Sequence, residues 1–423
     1  MVKDLIKFID ASPTAFLAVD NIRKILENKG FKKLDTKKIK KGDKLYVTRN
    51  DSSIIAFKIG EDLSDASLQI AASHTDCPSM KLKPVPIIVN EHGVRLNVEE
   101  YGGMLKRPWF DRPLSLAGRI IVSDGKTVKS VLFKDDKPFC IIPSVAPHLD
   151  REIEDKKIDI EKDLVPVVSL ECRYDFDAYI ASKAGLKAKQ IAGYDLYLYP
   201  LDKGYTWGLN DEFFTIGHID NLECAYTSLR GFIEGNNKKN INVYASFDNE
   251  EVGSLTRQGA DSDFLISIIE RICNDLKLDR YSLIENGMML SCDNAHGLHP
   301  NHPELYDGYN APELNKGIVL KYNARQSYCT DSLSAAVFKM LLDKNDIPYQ
   351  VFANKTGTRG GSTLGNLSNR HLSIMSVDIG LAQWAMHSPI ETAGSYDAET
   401  MCKGIKAFFN AHLTNKQGTY SLK

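Results

Sequence analysis

The sequence predicts an α/β fold in which strands and helices form layers, with a mostly β domain inserted into the chain. Three observations carry that prediction. Short apolar runs of strand length recur along the chain, segments with apolar residues at three- and four-residue spacing separate several of them, and the texture changes between residues 85 and 205.

The elements follow in order. Ser12-Pro13 opens a helical pattern through Phe16, Leu17, Val19, Ile22, Ile25 and Leu26, and Gly30 closes it. It is expected to cover one face of a sheet. Residues 53–59, 68–72, 241–247, 288–291 and 372–377 are apolar runs that read as buried strands. Residues 221–232, 261–276, 330–342 and 395–409 have helical spacing, with Asp, Asn, Ser or Thr near their starts to satisfy first-turn N–H groups.

From 85 to 205 long helical patterns are few, residues 86–98 and 116–132 alternate, and a charged run covers 150–163. At 423 residues the chain also exceeds the size at which one core stops growing, roughly 250–300 residues. Two domains are therefore expected: a discontinuous α/β domain, 1–84 with 206–423, and an inserted β-rich domain, 85–205. No repeat or low-complexity segment is evident.

Composition narrows the function. With 53 Lys plus Arg against 55 Asp plus Glu, no basic excess points to nucleic acid. Charges interrupt the first ten residues too often for a signal-peptide core, and no apolar run is long enough to span a bilayer. A cytoplasmic protein acting on a small molecule or peptide is expected. The eight cysteines stand singly, without Cys-x-x-Cys pairs, and read as reduced, mostly buried thiols; Cys77 and Cys292 adjoin candidate ligands but suit packing better.

Several strand-like runs end in residues that bind metals, at the carboxyl ends where open α/β sheets form their crevice. Residues 68–72 run on to His74 and Asp76, two positions apart on an extended chain, so that Asp76 can orient the imidazole. Alone, the same pair fits a polar strand end. Residues 241–247 lead to Glu250 and Glu251, adjacent carboxylates that diverge in a bend, one to grip a metal and the other to hold a water. A glutamate pair is otherwise often a solvated surface.

Asp220 stands at a helix start, where it either caps the helix or bridges two cations with its two oxygens. Asp293 follows the run 288–291, with His296 and His299 beyond it, and His387 lies in a loop before Pro389. The glycine-rich segment 356–365, with Gly361, lacks the Lys-Ser/Thr ending of a phosphate loop. It reads either as a backbone-lined pocket wall or as a turn feeding a helix.

These segments together resemble the aspartyl aminopeptidase family of co-catalytic two-zinc exopeptidases, over nearly the whole chain. The resemblance rests on Ser73-His-Thr-Asp76, Val98-Glu-Glu-Tyr-Gly-Gly103, Trp109-Phe-Asp-Arg112, Leu114-Ser-Leu-Ala-Gly-Arg119 and Ile219-Asp-Asn-Leu222. It rests equally on Phe247-Asp-Asn-Glu-Glu-Val-Gly253, Ser291-Cys-Asp293 through His299-Pro-Asn301, and Met386-His-Ser388.

The resemblance implies a mixed-sheet zinc exopeptidase core with helices on both faces, and an inserted β-rich dimerisation domain. It implies that Asp220 bridges two divalent ions, zinc with cobalt or manganese as substitutes. Glu251 and His387 would complete one site, and His74 and Asp293 the other. Glu250 would be the general base and Asp76 the brace of His74.

The family further implies that His148 reaches a neighbouring subunit's active site and that Lys321 pairs with an acidic substrate side chain. The sequence 323–328, Asn-Ala-Arg-Gln-Ser-Tyr, departs from the acidic-specific eukaryotic pattern. A homo-oligomer built from dimers, a dodecamer that admits short peptides, is the implied assembly. Two other functions stay in view: a two-metal deacylase or carboxypeptidase, and a non-catalytic protein that keeps only the fold. The complete set of expected ligands counts against the last.

Overall fold

Along the strand Ser53–Ile59, Ile54 and Ala56 join one apolar cluster while Ile55, Phe57 and Ile59 join another. Such alternation marks a strand covered on both faces. The computed structural model, which describes residues 1–153, 155–358 and 360–423, extends this pattern over a nine-stranded sheet. Its middle runs, in spatial order, Ser53–Ile59, Asn240–Phe247, Ser67–His74, Met288–Cys292, Ser376–Gly380 and Ile318–Tyr322.

The four strands from Asn240–Phe247 to Ser376–Gly380 are parallel, and their flanking neighbours run antiparallel to them. Four carboxyl ends therefore share one edge. Helices Val2–Asp10, Ala15–Asn28, Ile219–Glu234, Ser332–Lys344 and Asp397–Asn410 pack on one face, and Phe264–Leu276 with Leu364–Ser368 on the other. Each fully buried Phe, Leu or Ile here contributes about 1.5–3 kcal/mol.

The helix Ser332–Lys344 begins where its cap dictates: Ser334 N donates to Asp331 Oδ1 at 2.8 Å, and Asp331 N donates to Ser334 Oγ at 3.1 Å. The run 372–377 is the expectation that shifts. Its strand is Ser376–Gly380, while Leu372 and Ile374 are buried in a turn against the second cluster. An apolar run without a period marks burial but does not distinguish a strand from a packed turn. The half-exposed strand Lys44–Arg49 and the strands Ile318–Tyr322 and Tyr349–Ala353 were not foreseen.

Five residues past His74 the chain enters a second sheet. It is six-stranded and antiparallel throughout, in the order Val128–Lys134, Leu114–Ser123, Ile191–Pro200, Ser79–Asn90, Gly93–Tyr101 and Val167–Ser169. It has its own core around Trp109, closed by the helix Phe176–Ala184. The charged run 150–163 forms neither strand nor helix among its described residues.

A third sheet was also unforeseen: Tyr205–Trp207, Phe213–Ile216, Glu391–Gly394, Ala382–Trp384 and Ala295–His296. All eight cysteines are free and five are buried, as expected. No helix among the described residues is long and apolar enough to cross a membrane.

Candidate metal centre

Strand register assembles the site. Phe247 pairs with His74, and Ser291 with Ala72, so His74, the Glu250-Glu251 turn and Asp293 emerge side by side at the shared carboxyl edge. Asp220 joins them from the start of Ile219–Glu234, where its φ of −79° and ψ of 108° are not helical. His387 arrives from the loop after Ala382–Trp384, with a left-handed φ of 68°.

The two oxygens of Asp220 face different histidines. Oδ1 lies 3.5 Å from His74 Nε2, which is also 3.5 Å from Asp293 Oδ1. Oδ2 lies 3.5 Å from His387 Nε2, which is 3.4 Å from Glu251 Oε2. Two triads thus share Asp220, each with ligand atoms within 4.8 Å of one another: His74, Asp220, Asp293 and Asp220, Glu251, His387. His74, Glu250 and Glu251 form a third such group.

Each histidine is oriented by a backbone carbonyl. His74 Nδ1 donates to Asp76 O at 3.0 Å, and His387 Nδ1 to Gly103 O at 2.9 Å. Because a carbonyl only accepts, both Nδ1 atoms carry hydrogen, and each Nε2 can offer its lone pair to the site.

Asp76 therefore braces His74 chiefly through its main chain. Its carboxylate Oδ1 lies 3.4 Å from the imidazole, and its hydrogen bonds go elsewhere. It accepts Glu250 N and Glu251 N, each at 3.1 Å, and Tyr101 Oη at 2.8 Å. The turn it holds begins at Asn249, left-handed with φ 65°, whose Nδ2 donates to Tyr101 Oη at 2.8 Å.

The donor set fits cations. Asp220 Oδ1 and Glu251 Oε1 are buried without a hydrogen-bond partner, and acceptor-only oxygens in that state call for positive charge. Burial pushes Glu250 up to about 8; His74 opposes this, and the negative charges of Asp293, Asp76 and Asp220 reinforce it. Burial, then Asp220, raises Glu251 well above the ordinary range. His, Asp and Glu donors around a shared carboxylate suit zinc and leave coordination positions open.

A cavity of about 450 Å³ opens over these groups, and Glu250, Lys321, Tyr328, Phe352, Gly361 and His387 are among its lining residues. Gly361, Ser362 and Thr363 line the cavity, and Thr363 precedes the helix Leu364–Ser368; Arg359 lies outside the described residues.

Lys321 reaches the cavity wall but is already engaged: its Nζ is 3.3 Å from Asp293 Oδ2 and donates to Asn294 O at 3.1 Å. His148 sits apart, on an exposed loop between Val145 and Leu149, which are 45% and 83% exposed. It does not line its own chain's cavity.

Sequence reading missed Glu391. This buried carboxylate accepts Asp220 N at 3.0 Å and His387 N at 2.7 Å. A lone Glu four residues past a loop His carries no period or spacing signal, so only the fold reveals it. Gln383 and Asn294, both buried, were missed for the same reason.

The model of the family described as "Aminopeptidase I zinc metalloprotease (M18)" matches residues 8–409. The chain is 40% identical to a probable M18 family aminopeptidase 2 of Clostridium novyi, covering 96% of this chain and 98% of that one. Among solved structures, it superposes with a TM-score of 0.93 on a chain of the cryo-EM structure of the Ape4 and Nbr1 complex, 32% identical over 97% of this chain and 85% of that one. The S. cerevisiae mApe1 dodecamer gives a TM-score of 0.85 at 27% identity, over 96% of both chains.

Proposed function

The chain belongs to the M18 family of aminopeptidase I zinc metalloproteases, hydrolases acting at peptide N-termini, and on that premise we propose that it removes N-terminal residues with two divalent ions per subunit. The observation that carries this reading is Asp220, whose Oδ1 and Oδ2 each face a separate His-carboxylate set. His74 and Asp293 would hold one ion, Glu251 and His387 the other, and Asp220 would be shared between them. Zinc is the natural occupant, with cobalt or manganese able to substitute.

Two such ions would supply Lewis acidity toward the scissile carbonyl, a more acidic water and a hold on the substrate's free amine. The protein supplies the rest. Glu250, at the cavity and 4.0 Å from His74 Nε2, takes the proton of the attacking water and passes it to the leaving amine. Asp76 holds Glu250 and Glu251 in place through their N–H groups. Gly361 and its neighbours form the wall along which the peptide lies.

Acidic N-terminal residues are the proposed preference, with Lys321 as counter-charge. Two of its three donors are committed to Asp293 and Asn294, which leaves one for a substrate carboxylate. We read 85–205 as a dimerisation domain on the body 1–84 and 206–423, and His148 as a residue lent to the partner's cavity. The exposed apolar flanks of His148 support this. Assembly from dimers, up to a dodecamer, is supported by the relative solved as one. Eight unpaired thiols suit the cytoplasm.

Metal content and substrate choice test the proposal together. Purified protein loaded with zinc should hold two ions per subunit and release amino acids from peptides with free N-termini, not from N-acetylated ones. Cleavage of the acetylated peptides instead would make it a deacylase or carboxypeptidase, and fewer than two ions would reject the shared-carboxylate centre.

A further inference from the structure

Glu391 lies at the start of the strand Glu391–Gly394, which pairs antiparallel with Phe213–Ile216 in the register Ile216 to Glu391. The chain leaving Ile216 turns at His218, left-handed with φ 64°, and enters the helix that carries Asp220. Sheet register thus delivers the Glu391 carboxylate to the backbone of Asp220 on one side and to the His387 loop on the other. Oε2 accepts Asp220 N at 3.0 Å, and Oε1 accepts His387 N at 2.7 Å.

A carboxylate is needed for that double role. It presents acceptors at both ends, whereas a carboxamide of the same shape must turn its NH2 group toward one of the two N–H donors. Behind it, Gln383 Nε2 donates to Glu391 Oε1 at 3.2 Å, and Gln383 Oε1 accepts Asn294 Nδ2 at 2.8 Å. Asn294 directly follows Asp293. A buried chain, Glu391–Gln383–Asn294, therefore joins the residues around both triads from behind. Interior polar groups so placed are costly to leave unpaired, which favours one arrangement of the loops they hold.

We propose that Glu391 is a positioning residue that registers the His387 loop on Asp220 and so sets the affinity of the ion held by Asp220, Glu251 and His387. The inference rests on the ligand assignment proposed above. His387 has a left-handed φ of 68°, so its backbone needs an external hold, and Glu391 accepts its N–H. His74 ends one parallel strand and Asp293 follows another, and neither bonds directly to Glu391, whereas His387 does. Loss of the clamp should therefore fall on one ion more than on the other.

The test strips the full-length protein of metal and titrates it with zinc against a competing chelator, and with cobalt followed by visible absorption. Wild type, Glu391→Gln, Glu391→Asp and His387→Ala are compared, with circular dichroism of each metal-free form as the check on folding. Glu391→Gln should keep one affinity and weaken the other by about 10- to 100-fold, the usual cost of removing a partner of a metal ligand. Glu391→Asp retains the charge but reaches only one backbone, and it should show a smaller loss at the same ion.

Unchanged affinities in Glu391→Gln, or equal loss of both, overturn the inference while a one-ion loss in His387→Ala leaves the ligand assignment standing. Should Glu391→Gln fail to fold, Glu391→Asp decides by the same two outcomes. If His387→Ala binds both ions as wild type does, the ligand assignment itself fails and takes the inference with it.

Discussion

The side-chain carboxylate of Asp76 holds the backbone of Glu250: Glu250 N donates to Asp76 Oδ1 at 3.1 Å, beside the matching bond from Glu251 N to Oδ2. The strand end that carries His74 thereby holds the turn that carries the acid pair. An Asp76→Asn carboxamide has one acceptor end, so one of the two N–H groups loses its partner. We expect kcat to fall by about 10- to 100-fold with little change in KM, by analogy with other residues that act through a ligand. Steady-state kinetics at saturating zinc check this, and unchanged kcat rejects the role.

Glu250→Gln removes the proposed base and no assigned ligand. Metal content should stay at the wild-type level while kcat drops by about 10²- to 10⁴-fold, the range of general-base catalysis. Metal analysis beside single-turnover kinetics separates the two effects. Normal turnover in this variant would return Glu250 to a structural role.

Lys321→Met tests an ammonium that is 2% exposed and faces Asp293. In metal-free protein, a buried carboxylate stripped of its partner should cost about 3–5 kcal/mol in chemical denaturation. Zinc should recover part of that loss because it supplies replacement charge to Asp293. The same variant, assayed on Asp, Glu and Leu chromogenic substrates, addresses acidic preference. If the ranking of the three is the same as in wild type, Lys321 serves Asp293 and not the substrate.

Metal removal should make stability depend on pH. In the metal-free fold burial pushes Glu250 up to about 8, from an ordinary value of 4.5. The folded state then holds protons that the unfolded state has released, so this stabilisation is full below about pH 4.5 and is lost as pH rises through about 8. His387, raised to about 10 against the effect of burial by Asp220 and Glu251, has the same sign over a higher window. The thermal midpoint of the chelated protein should fall between about pH 5 and 8, and the zinc-loaded protein should show a shallower slope. Parallel profiles would contradict the idea that the ions neutralise this cluster.

Much of the molecule was legible because its signals are local. The strand Ser53–Ile59 was predicted to the residue, and the helix Ile219–Glu234 to within two residues at each end. His74, Glu250, Glu251 and Asp293 could be picked out because each follows an apolar run that ends at the sheet's carboxyl edge. By contrast, nothing in the run 372–377 separates its buried turn from its strand, and the half-exposed strand Lys44–Arg49 has too little apolar content to stand out.

The sequence alone picked out candidate metal-binding side chains, His74, Glu250, Glu251 and Asp293 beyond strand-like runs, Asp220 at a helix start and His387 in a loop, since periodicity and residue chemistry are properties of short segments. Tertiary structure decided how they meet: which oxygen of Asp220 faces which imidazole, that Asp76 holds a turn more than a ring, that Lys321 is engaged by Asp293, and that Glu391 joins two backbones. Those facts depend on strand register and on loops brought together across the sheets. The distances that fix a hydrogen bond arise only when segments remote in the chain pack against one another.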